Sequence, residues 1–480
     1  MSMHTATPAS RARLSPLVPQ WLTDAVFYQI FPERFRNGDR TIDPDEVQPW
    51  GAVPTRDNFC GGDLWGIIEG LDHIASIGAN TLYLTPVFTA TTNHRYDGID
   101  YFSIDPLLGG DAAFDALINA CHARGMRVVL DGVFNHCGSD HPYFQDVIAH
   151  EASSPYVNWY MVDDFPVRTV PEPNFKTCSG CVYMPKWNTH NPDVRDHHLR
   201  VAVHWLERGA DGWRLDVPWF INKNFWRLFR TTVKERFPQA CLIGEEWKTP
   251  THWLHGDTFD GTMNYGLRDL ALDFTARRIA DGAATADAAL ALQRSIPPSA
   301  APAMMNLLGS HDTDRVRTVH SENTAAQAQA LAILFAYPGA PMIYYGDEIG
   351  VTGEDDPGCR ACMPWDESTW NRQLLDIVTA LAAARRDCPA YGRGSLDTPF
   401  AAGDVLILRT TRTIGAAACS STTVINRSPS HTAIPRTAIP VDGRILVSVN
   451  DGRLSTNEAL SIEGEWVVVP GLSVLVMEGS

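Results

Sequence analysis

The sequence is poor in lysine, in cysteine and in long apolar stretches. Its 480 residues include 34 arginines but five lysines, and 56 acidic against 39 basic residues give a net charge of −17. With no basic cluster and a negative overall field, binding to nucleic acid or to anionic membranes is not expected. No apolar run approaches the roughly 20 residues that a membrane-spanning helix needs, and the first 20 residues lack the apolar core of a signal peptide. We therefore predict a cytoplasmic protein whose partner is neutral or cationic.

Eight apolar segments alternate with stretches of helical periodicity along most of the chain. They lie at residues 25–31, 81–87, 128–130, 212–217, 240–247, 261–265, 304–310 and 341–347. Strands that alternate with helices imply a parallel sheet covered on both faces, and eight repeats suit an α/β fold of the (β/α)8 TIM-barrel type. A doubly wound open sheet is the structural alternative.

Composition divides the chain into further parts. Residues 1–20 lack periodicity and predict a flexible tail. The stretch between the third and fourth apolar segments is longer than one helix needs and rich in Pro, Asn and aromatic residues, so we predict an inserted subdomain at residues 137–190. Short alternating strands predict a C-terminal β-sandwich at 395–480, which leaves 21–136 and 191–394 as the catalytic barrel.

Acidic side chains follow four of the predicted strands, namely Asp131, Asp216, Glu245 and Asp312. Because catalytic residues of such barrels come from the carboxyl ends of the strands, these acids are expected at one rim. A single acid there is usually a helix cap, but four together favour chemistry. Glycoside hydrolysis needs two carboxylates. Arg214 lies on the same side of an extended strand as Asp216, which suits Asp216 as an ionised nucleophile.

The motifs around these acids resemble, in order, those of the α-amylase family, glycoside hydrolase family thirteen. They lie at 131–136, 212–216, 245–247 and 306–312, and the segment 341–348 looks like the family's eighth-strand motif. Met184-Pro-Lys-Trp-Asn188 is similar to the motif of the neopullulanase and cyclomaltodextrinase subgroup, which usually has Leu at the position of Trp187.

The resemblance implies roles for individual residues. It implies Asp216 as the nucleophile, Glu245 as the acid/base and Asp312 as the residue that fixes hydroxyls of the distorted sugar. The substrate-binding residues that it implies are Tyr96, Asp97, His136, Arg214, His311, Asp356 and Arg360.

Some of these residues have alternative interpretations. His136 and His311 could be structural histidines held by hydrogen bonds, and Asp356 and Arg360, four residues apart, could form a surface ion pair. Glu246 is the rival acid, although Glu245 occupies the family's catalytic position.

The function that the resemblance implies is a retaining glycosidase acting through a covalent glycosyl-enzyme intermediate. Its expected substrates contain α-1,4-glucosidic bonds, as in maltooligosaccharides, cyclodextrins and related α-glucans. A transglycosylase or isomerase acting on trehalose-type or sucrose-type α-glucosides would use the same intermediate. A non-catalytic binding barrel is the third alternative, against which the intact carboxylates argue.

Two departures from the subgroup limit these implications. Residues 217–220 read Val-Pro-Trp-Phe, where the subgroup usually has Val-Ala-Asn-Glu on the leaving-group side, so the choice between hydrolysis and transfer does not carry over. The subgroup's N-terminal β domain takes part in dimerisation, whereas the barrel here begins near residue 21. Dimerisation by that route is therefore not expected.

Oxygen-bearing side chains near the first strand predict one structural calcium ion. The candidate ligands are Asn37, Asp39, Asp43, Asp63 and, by resemblance to the subgroup's calcium loop, the carbonyl of Gly61. Ile42 replaces an Asn that is frequent in that loop. A pair of turns without metal is the alternative, since Asn, Asp and Gly are common turn residues.

Ten cysteines are too few for a disulfide scaffold, and in the cytoplasm free thiols are the default. Two Cys-x-x-Cys pairs, Cys178 with Cys181 and Cys359 with Cys362, have the spacing of zinc knuckles. Reduced thiols, disulfides and a zinc ion held by both pairs remain open. Because both loops belong to the substrate rim by resemblance, the two pairs are expected to lie near each other.

Overall fold

Eight parallel strands close into a barrel in the computed structural model, which describes residues 18–455 and 460–479. The strands are β1 (Phe27–Ile30), β2 (Thr81–Leu84), β3 (Arg127–Gly132), β4 (Gly212–Leu215), β5 (Cys241–Gly244), β6 (Gly261–Asn264), β7 (Met305–Asn306) and β8 (Ala340–Tyr344). Each overlaps one of the eight predicted segments. Closure is completed where Phe27 of β1 pairs with Thr81 of β2 on one side and with Met342 of β8 on the other. The barrel prediction is confirmed, and the open sheet is excluded.

The barrel interior is filled by side chains and is not a channel. Large buried residues from most of the strands pack inside it, among them Phe27, Tyr83, Val129, Ile243 and Met263. This layered packing gives the rigid frame on which the residues beyond the strand ends are mounted.

Helices surround the barrel. The longer ones are Leu64–Ser76, Gly110–Ala123, Pro192–Glu207, Lys223–Arg236, Tyr265–Thr275, Gly282–Ser295, Thr324–Ala336 and Arg372–Asp387. Most begin directly after an Asp or Asn whose side chain accepts from a backbone N–H of the first turn, as Asp63 and Asn371 do. Among the described residues, no helix is long and apolar enough to cross a bilayer.

The C-terminal region consists of antiparallel sheets. One sheet contains Ser395–Asp397, Ala401–Ala402, Val405–Ile414, Ala417–Asn426, Arg444–Asn450, Arg453–Leu454 and Ser473–Gly479, and the other contains Thr432–Pro435, Ser461–Glu463 and Trp466–Val469. Apolar residues of both sheets, including Ile407 and Val467, share one buried cluster. The two sheets thus face each other, as expected for the predicted β-sandwich.

At the other end of the chain, most of the predicted tail, residues 1–17, lies outside the described residues. Val18 packs against the barrel core, and Gln20–Asp24 form a short 3-10 helix.

The segment between β3 and the helix Pro192–Glu207 forms the insertion. It contains the helix Pro142–His150 and a hairpin of Thr177–Cys178 with Cys181–Pro185. Its core is aromatic. Trp187, at the position where the subgroup usually has Leu, is fully buried and stacks on Tyr160 with 4.9 Å between the ring centroids.

His141 lies in this aromatic core, at the position directly before the helix Pro142–His150. Its ring packs on Trp187 at 5.0 Å between centroids, and its Nδ1 accepts from the backbone N–H of Tyr143. Burial, with a smaller contribution from His197, lowers the pKa of His141 to about 3. The folded protein therefore holds this ring neutral at pH values where the unfolded chain protonates it.

Because the pKa of His141 is depressed in the fold, its stabilising contribution is lost as pH falls below the unfolded value of about 6.5. The comparison is with His141→Asn, which preserves a helix cap. Between about pH 7.5 and pH 5, the unfolding temperature of wild type should fall further than that of the variant. The predicted loss of unfolding free energy, relative to the variant, is about 2 kcal/mol. A difference between the two proteins that does not change with pH would contradict this prediction.

Candidate active site

The carboxyl ends of the barrel strands open into a cavity of about 790 Å³, a size typical of small-molecule sites. Its lining includes eight of the ten residues assigned from sequence to catalysis or substrate binding: Tyr96, His136, Asp216, Glu245, His311, Asp312, Asp356 and Arg360. Arg214 and Asp97 do not line it. The fold thus brings together residues that are up to 264 positions apart in the chain.

Arg214 joins three carboxylates below the cavity. Its Nη1 is 2.9 Å from Asp131 Oδ1 and 2.8 Å from Asp216 Oδ1, and its Nη2 is 3.0 Å from Glu245 Oε2. The register explains the convergence, because Asp131 of β3 pairs with Arg214 of β4, and Leu215 of β4 pairs with Gly244 of β5. Asp216 and Glu245 are therefore held by one fully buried guanidinium.

The charge balance of this cluster favours keeping a proton. Burial raises the pKa of Asp216, the positive charge of Arg214 opposes this, and the negative charge of Glu245 raises the pKa further. Burial likewise raises the pKa of Asp131 against the effect of Arg214. The contact predicted between Arg214 and Asp216 is present, but burial outweighs it and raises the pKa of Asp216, contrary to the expectation that Arg214 by itself keeps this carboxyl ionised. Three carboxylates around one cation suit a site that must hold one carboxyl protonated beside an ionised one.

Glu245 is oriented by two hydrogen bonds. The backbone N–H of Val217 donates to Oε2 at 2.9 Å, and the indole Nε1 of Trp247 donates to Oε1 at 2.8 Å. Trp247 is itself fixed by stacking on Tyr265, with 3.7 Å between ring centroids. Val217 has a φ of 35°, a left-handed conformation that is costly for a β-branched residue. The turn after Asp216 thus aims a backbone donor at Glu245.

Tyr96 and His311 form one wall of the cavity. Their rings are parallel within 8° at 5.5 Å between centroids, and Tyr96 OH lies 2.6 Å from His311 Nε2. Tyr96 OH also donates to Asp131 Oδ2 at 2.9 Å, and Tyr83 OH donates to the same oxygen at 2.7 Å. The wall is therefore connected to the carboxylate cluster through Asp131.

His136 presents an unsatisfied nitrogen. The side chain is 2% exposed and lines the cavity, and its Nε2 has no hydrogen-bond partner. Burial lowers its pKa to about 4, so the ring is neutral near pH 7. A buried polar atom without a partner at a cavity wall is suited to a hydroxyl of a bound ligand. This geometry differs from that of a purely structural histidine.

Asp312, Arg360 and Asp356 form a continuous ion-pair chain at the rim. Arg360 Nη2 is 3.2 Å from Asp312 Oδ1, and Arg360 Nη1 is 2.9 Å from Asp356 Oδ1. Arg360 is 8% exposed, and its Nε donates to the His311 carbonyl at 2.9 Å. The pair of Asp356 with Arg360 is thus more than a surface ion pair, because its buried arginine also fixes Asp312.

Two acidic side chains outside the cavity lining are held by neighbouring residues. Asp97 accepts hydrogen bonds from the hydroxyls of Thr91 and Thr92, which do line the cavity, and so closes the turn that carries Tyr96. Glu246 accepts from Trp253 Nε1 at 2.8 Å. Glu246 does not line the cavity, so the structure gives the rival carboxylate a different environment from that of Glu245.

Comparison with known proteins places this arrangement in a family. The family model of the alpha-amylase catalytic domain matches residues 29–388, which include all of the barrel except the start of β1, and every residue of the site. The chain belongs to the alpha-amylase family. A cyclomaltodextrinase from Geobacillus thermopakistaniensis is 42% identical over 94% of this chain and 76% of its own length. An intracellular maltogenic amylase from Bacillus subtilis strain 168 is 41% identical over 77% of this chain and 62% of its own.

Solved structures of this family resemble the whole fold. The ligand-free cyclic alpha-maltosyl-(1→6)-maltose hydrolase from Arthrobacter globiformis superposes with a TM-score of 0.89 at 48% identity, covering 96% of this chain and all of that one. The same enzyme in complex with cyclic alpha-maltosyl-(1→6)-maltose is 49% identical, with the same TM-score and coverage. These relatives confirm the subgroup that the motifs indicated.

Several residues of the alpha-amylase site were not assigned from sequence. Trp247 and Asp131 lie inside family motifs. Asp131 was expected at the rim as a strand-end acid, but neither residue was given a role. No sequence pattern pointed to Tyr83, whose hydroxyl reaches Asp131 from the barrel interior, or to the backbone N–H of Val217.

The predicted calcium ligands separate into two groups. The carboxylate of Asp63 is committed to protein, because it accepts from the backbone N–H groups of Gly38, Asp39 and Gly66. Asp39 Oδ1 accepts from Thr41, also within the loop. Asp63 is therefore a helix cap here, and one oxygen of Asp39 is held within its own loop.

The other candidate ligands face one another. Asn37 Nδ2 donates to Asp43 Oδ1 at 2.7 Å, while the buried Asn37 Oδ1 has no partner. Gly61 has a φ of 81°, and a Cβ there would lie 2.3 Å from Asp43 Oδ1, so the space beside it requires glycine. Asn37, Asp43 and Gly61 thus lie together, and the oxygens of their side chains and backbone are of the kind that calcium prefers.

The four cysteines of the Cys-x-x-Cys pairs do not fit a zinc site. The backbones of Cys178 and Cys181 are register partners in their hairpin, and both residues line the cavity. Cys359 Sγ donates to the His311 carbonyl at 3.1 Å, and a hydrogen bond with Cys362 lowers the pKa of the Cys60 thiol.

Cys362 therefore has Cys60 as its sulfur neighbour. Within the described ranges, no three His, Cys, Asp or Glu side chains converge to hold a metal ion, and all ten cysteines are free thiols. The second pair flanks Arg360, which lines the same cavity as the first.

Proposed function

We propose that this alpha-amylase family member is a retaining glycoside hydrolase that cleaves α-1,4-glucosidic bonds through a glycosyl ester on Asp216. The observation that carries the proposal is the attachment of Asp216 and Glu245 to a single buried guanidinium at the floor of the cavity. One carboxylate attacks the anomeric carbon while the other protonates the departing oxygen and later deprotonates water.

Glu245 is the acid/base of the proposed mechanism. Its orientation by Val217 and Trp247 leaves its carboxyl at the cavity surface, where a glycosidic oxygen would bind. Proton transfer of this kind requires a carboxyl within hydrogen-bond reach of the leaving oxygen. Asp216, on the neighbouring strand end, is then the nucleophile.

The remaining cavity residues position the sugar in this proposal. Asp312, held by Arg360, accepts from ring hydroxyls, and His136 Nε2 supplies a neutral partner for another. Tyr96 provides an aromatic surface for the apolar face of a pyranose ring. Asp356 and Arg360 bind the next sugar outward, and Asp97 supports the turn that carries Tyr96.

The names of the relatives support a cyclic or short α-gluco-oligosaccharide as substrate. The Arthrobacter globiformis enzyme hydrolyses cyclic alpha-maltosyl-(1→6)-maltose and also has a structure with maltose bound, at 49% identity to this chain. A cyclomaltodextrinase is 42% identical to this chain. We rank the cyclic maltosyl-maltose first and cyclodextrins second, because the former relative matches over nearly the full length of both chains.

The decisive experiment is a product profile on cyclic maltosyl-maltose, β-cyclodextrin, maltoheptaose, pullulan, trehalose and sucrose. Short linear maltooligosaccharides as products of the first three support the hydrolase. Rearranged α-glucosides from trehalose or sucrose, or products longer than the substrate, would establish the isomerase or transglycosylase instead. No turnover of any substrate would favour the binding barrel.

We also propose a structural calcium ion held by Asn37, Asp43 and the Gly61 carbonyl, supported by the orphaned oxygen of Asn37. A bound ion stabilises the fold in proportion to its free concentration. We expect a chelator to lower the unfolding temperature by several degrees, about 3 °C or more, and calcium to restore it.

The matched control is Asp43→Ala, which should unfold at the same temperature with and without chelator. If chelation in calcium-free buffer left the wild-type unfolding temperature unchanged, there would be no stabilising calcium ion.

A cytoplasmic location is part of the proposal. It is supported by a relative named intracellular and by the ten free thiols.

A further inference from the structure

A second cavity, of about 580 Å³, lies at the opposite end of the barrel from the candidate active site. Thr23, just before β1, and Gly339, just before β8, line one side of it, and Ser395, which begins the first C-terminal strand, lines another. It therefore occupies the junction between the amino end of the barrel and the C-terminal sheets. None of the catalytic residues proposed above takes part in it.

Four arginines surround this cavity in a chain of net charge −17, namely Arg294, Arg385, Arg393 and Arg412. Within the described part of the chain, the ion pair that offsets them is that of Arg393 Nη2 with Asp24, at 2.8 Å, and the Asp24 side chain is 72% exposed. The sequence of residues 1–17 contains no Asp or Glu, so that segment brings no further negative side chain. The cavity thus carries an excess of positive charge.

Arg385 is the most deeply placed of these cations. The residue is 1% exposed, and its guanidinium donates to four carbonyls, those of Thr23, Gly339, Tyr391 and Gly392. All four partners are neutral, and Nε has no partner. Burial, and next the charge of Arg393, lowers the pKa of Arg385 well below its ordinary range. A buried cation without a counter-charge is costly, which makes an anion favourable beside it.

The two outer arginines have free donors. Arg412 Nη1 makes a long hydrogen bond of 3.3 Å to the Pro389 carbonyl. Arg294, exposed in the last turn of the helix Gly282–Ser295, makes no hydrogen bond or ion pair with another described residue. A guanidinium group can donate to two phosphate oxygens at once, and the phosphate then neutralises its charge. A carbonyl partner leaves the charge of the guanidinium unbalanced.

We propose that this cavity binds a small organic phosphate of about monosaccharide size, held by Arg294, Arg412 and the free Nε of Arg385. The volume falls in the range of small-molecule sites and exceeds what an inorganic phosphate ion would fill. The ligand would bridge a barrel helix and a strand of the C-terminal sheets, so its binding stabilises the junction between them.

The test is thermal unfolding of the full chain with glucose 6-phosphate, inorganic phosphate or glucose, each to about 10 mM at constant ionic strength. We expect a saturable rise of about 2 °C or more with glucose 6-phosphate, and none with glucose, which controls for binding at the active site. An equal rise with inorganic phosphate would overturn the assignment of an organic phosphate, because the sugar would then add nothing to binding.

The double variant Arg294→Gln, Arg412→Gln leaves the carbonyl contacts of Arg385 in place. The glucose 6-phosphate concentration that gives half of the thermal shift should be at least tenfold higher for it than for wild type. Arg444→Gln is the matched control, since Arg444 is an exposed arginine paired with Glu478 outside the cavity, and it should respond like wild type. The proposal is overturned if neither phosphate compound gives a saturable shift, or if the double variant responds like wild type.

Discussion

Replacing Asp216 with Asn is expected to lower kcat on the preferred α-glucan by on the order of 10⁴-fold or more. The side chain would keep its place 2.8 Å from Arg214 but lose the negative charge that attacks the anomeric carbon. Because the glycosyl ester forms by attack on one face of the anomeric carbon and water then attacks from the opposite face, two inversions restore the original configuration, and early product of wild type should be the α anomer. Steady-state kinetics and NMR of fresh product measure the two effects.

Glu246→Gln is the matched control for this experiment. It changes a neighbouring strand-end carboxylate that is bound to Trp253 and does not line the cavity. Activity near the wild-type value is expected for it. An early β anomer, or nearly normal activity of Asp216→Asn, would show that Asp216 is not the nucleophile.

Replacing Glu245 with Gln should produce a loss that depends on the leaving group. Protonation of a sugar leaving group by a carboxyl contributes about 10²- to 10⁴-fold, and the amide cannot supply it. A substrate with an activated leaving group, such as α-maltosyl fluoride, departs without protonation. We therefore expect a large loss on maltoheptaose and a much smaller loss in the first step on the fluoride.

The comparison with Asp216→Asn makes this second prediction specific. The nucleophile variant should lose activity on both substrates, since neither reaction proceeds without the ester. An equal loss on both substrates for Glu245→Gln would instead indicate that Glu245 acts only through the geometry of its neighbours Val217 and Trp247.

The barrel and most of the site could be predicted because both depend on local patterns. Alternating strand and helix segments set the fold. Asp216 and Glu245 directly follow strand ends, and Asp312 lies in the loop after the seventh strand, so acids beyond the strand ends identified all three. Sequence could not reveal the left-handed backbone of Val217, because a valine gives no sign of a positive φ.

Long-range contacts were the other limit of prediction. Cys362 has Cys60 as its neighbour, 302 positions earlier, and this proximity arises from the packing of two loops. The calcium prediction likewise could not anticipate that Asp63 would be taken up as a helix cap. Arg385 and Arg393 are close in sequence, but the proximity of Arg412 to them and to Arg294 depends on how the C-terminal sheets meet the barrel.

The shared guanidinium of Arg214 constrains how this site can change by substitution. Its two terminal nitrogens contact different carboxylates, with Nη1 on Asp131 and Asp216 and Nη2 on Glu245. A lysine would keep the positive charge but offer one nitrogen in place of two, without the planar fork. A substitution that keeps the charge at position 214 therefore does not keep the geometry. The neighbouring acids could be replaced only together with Arg214, which sets the distances between them.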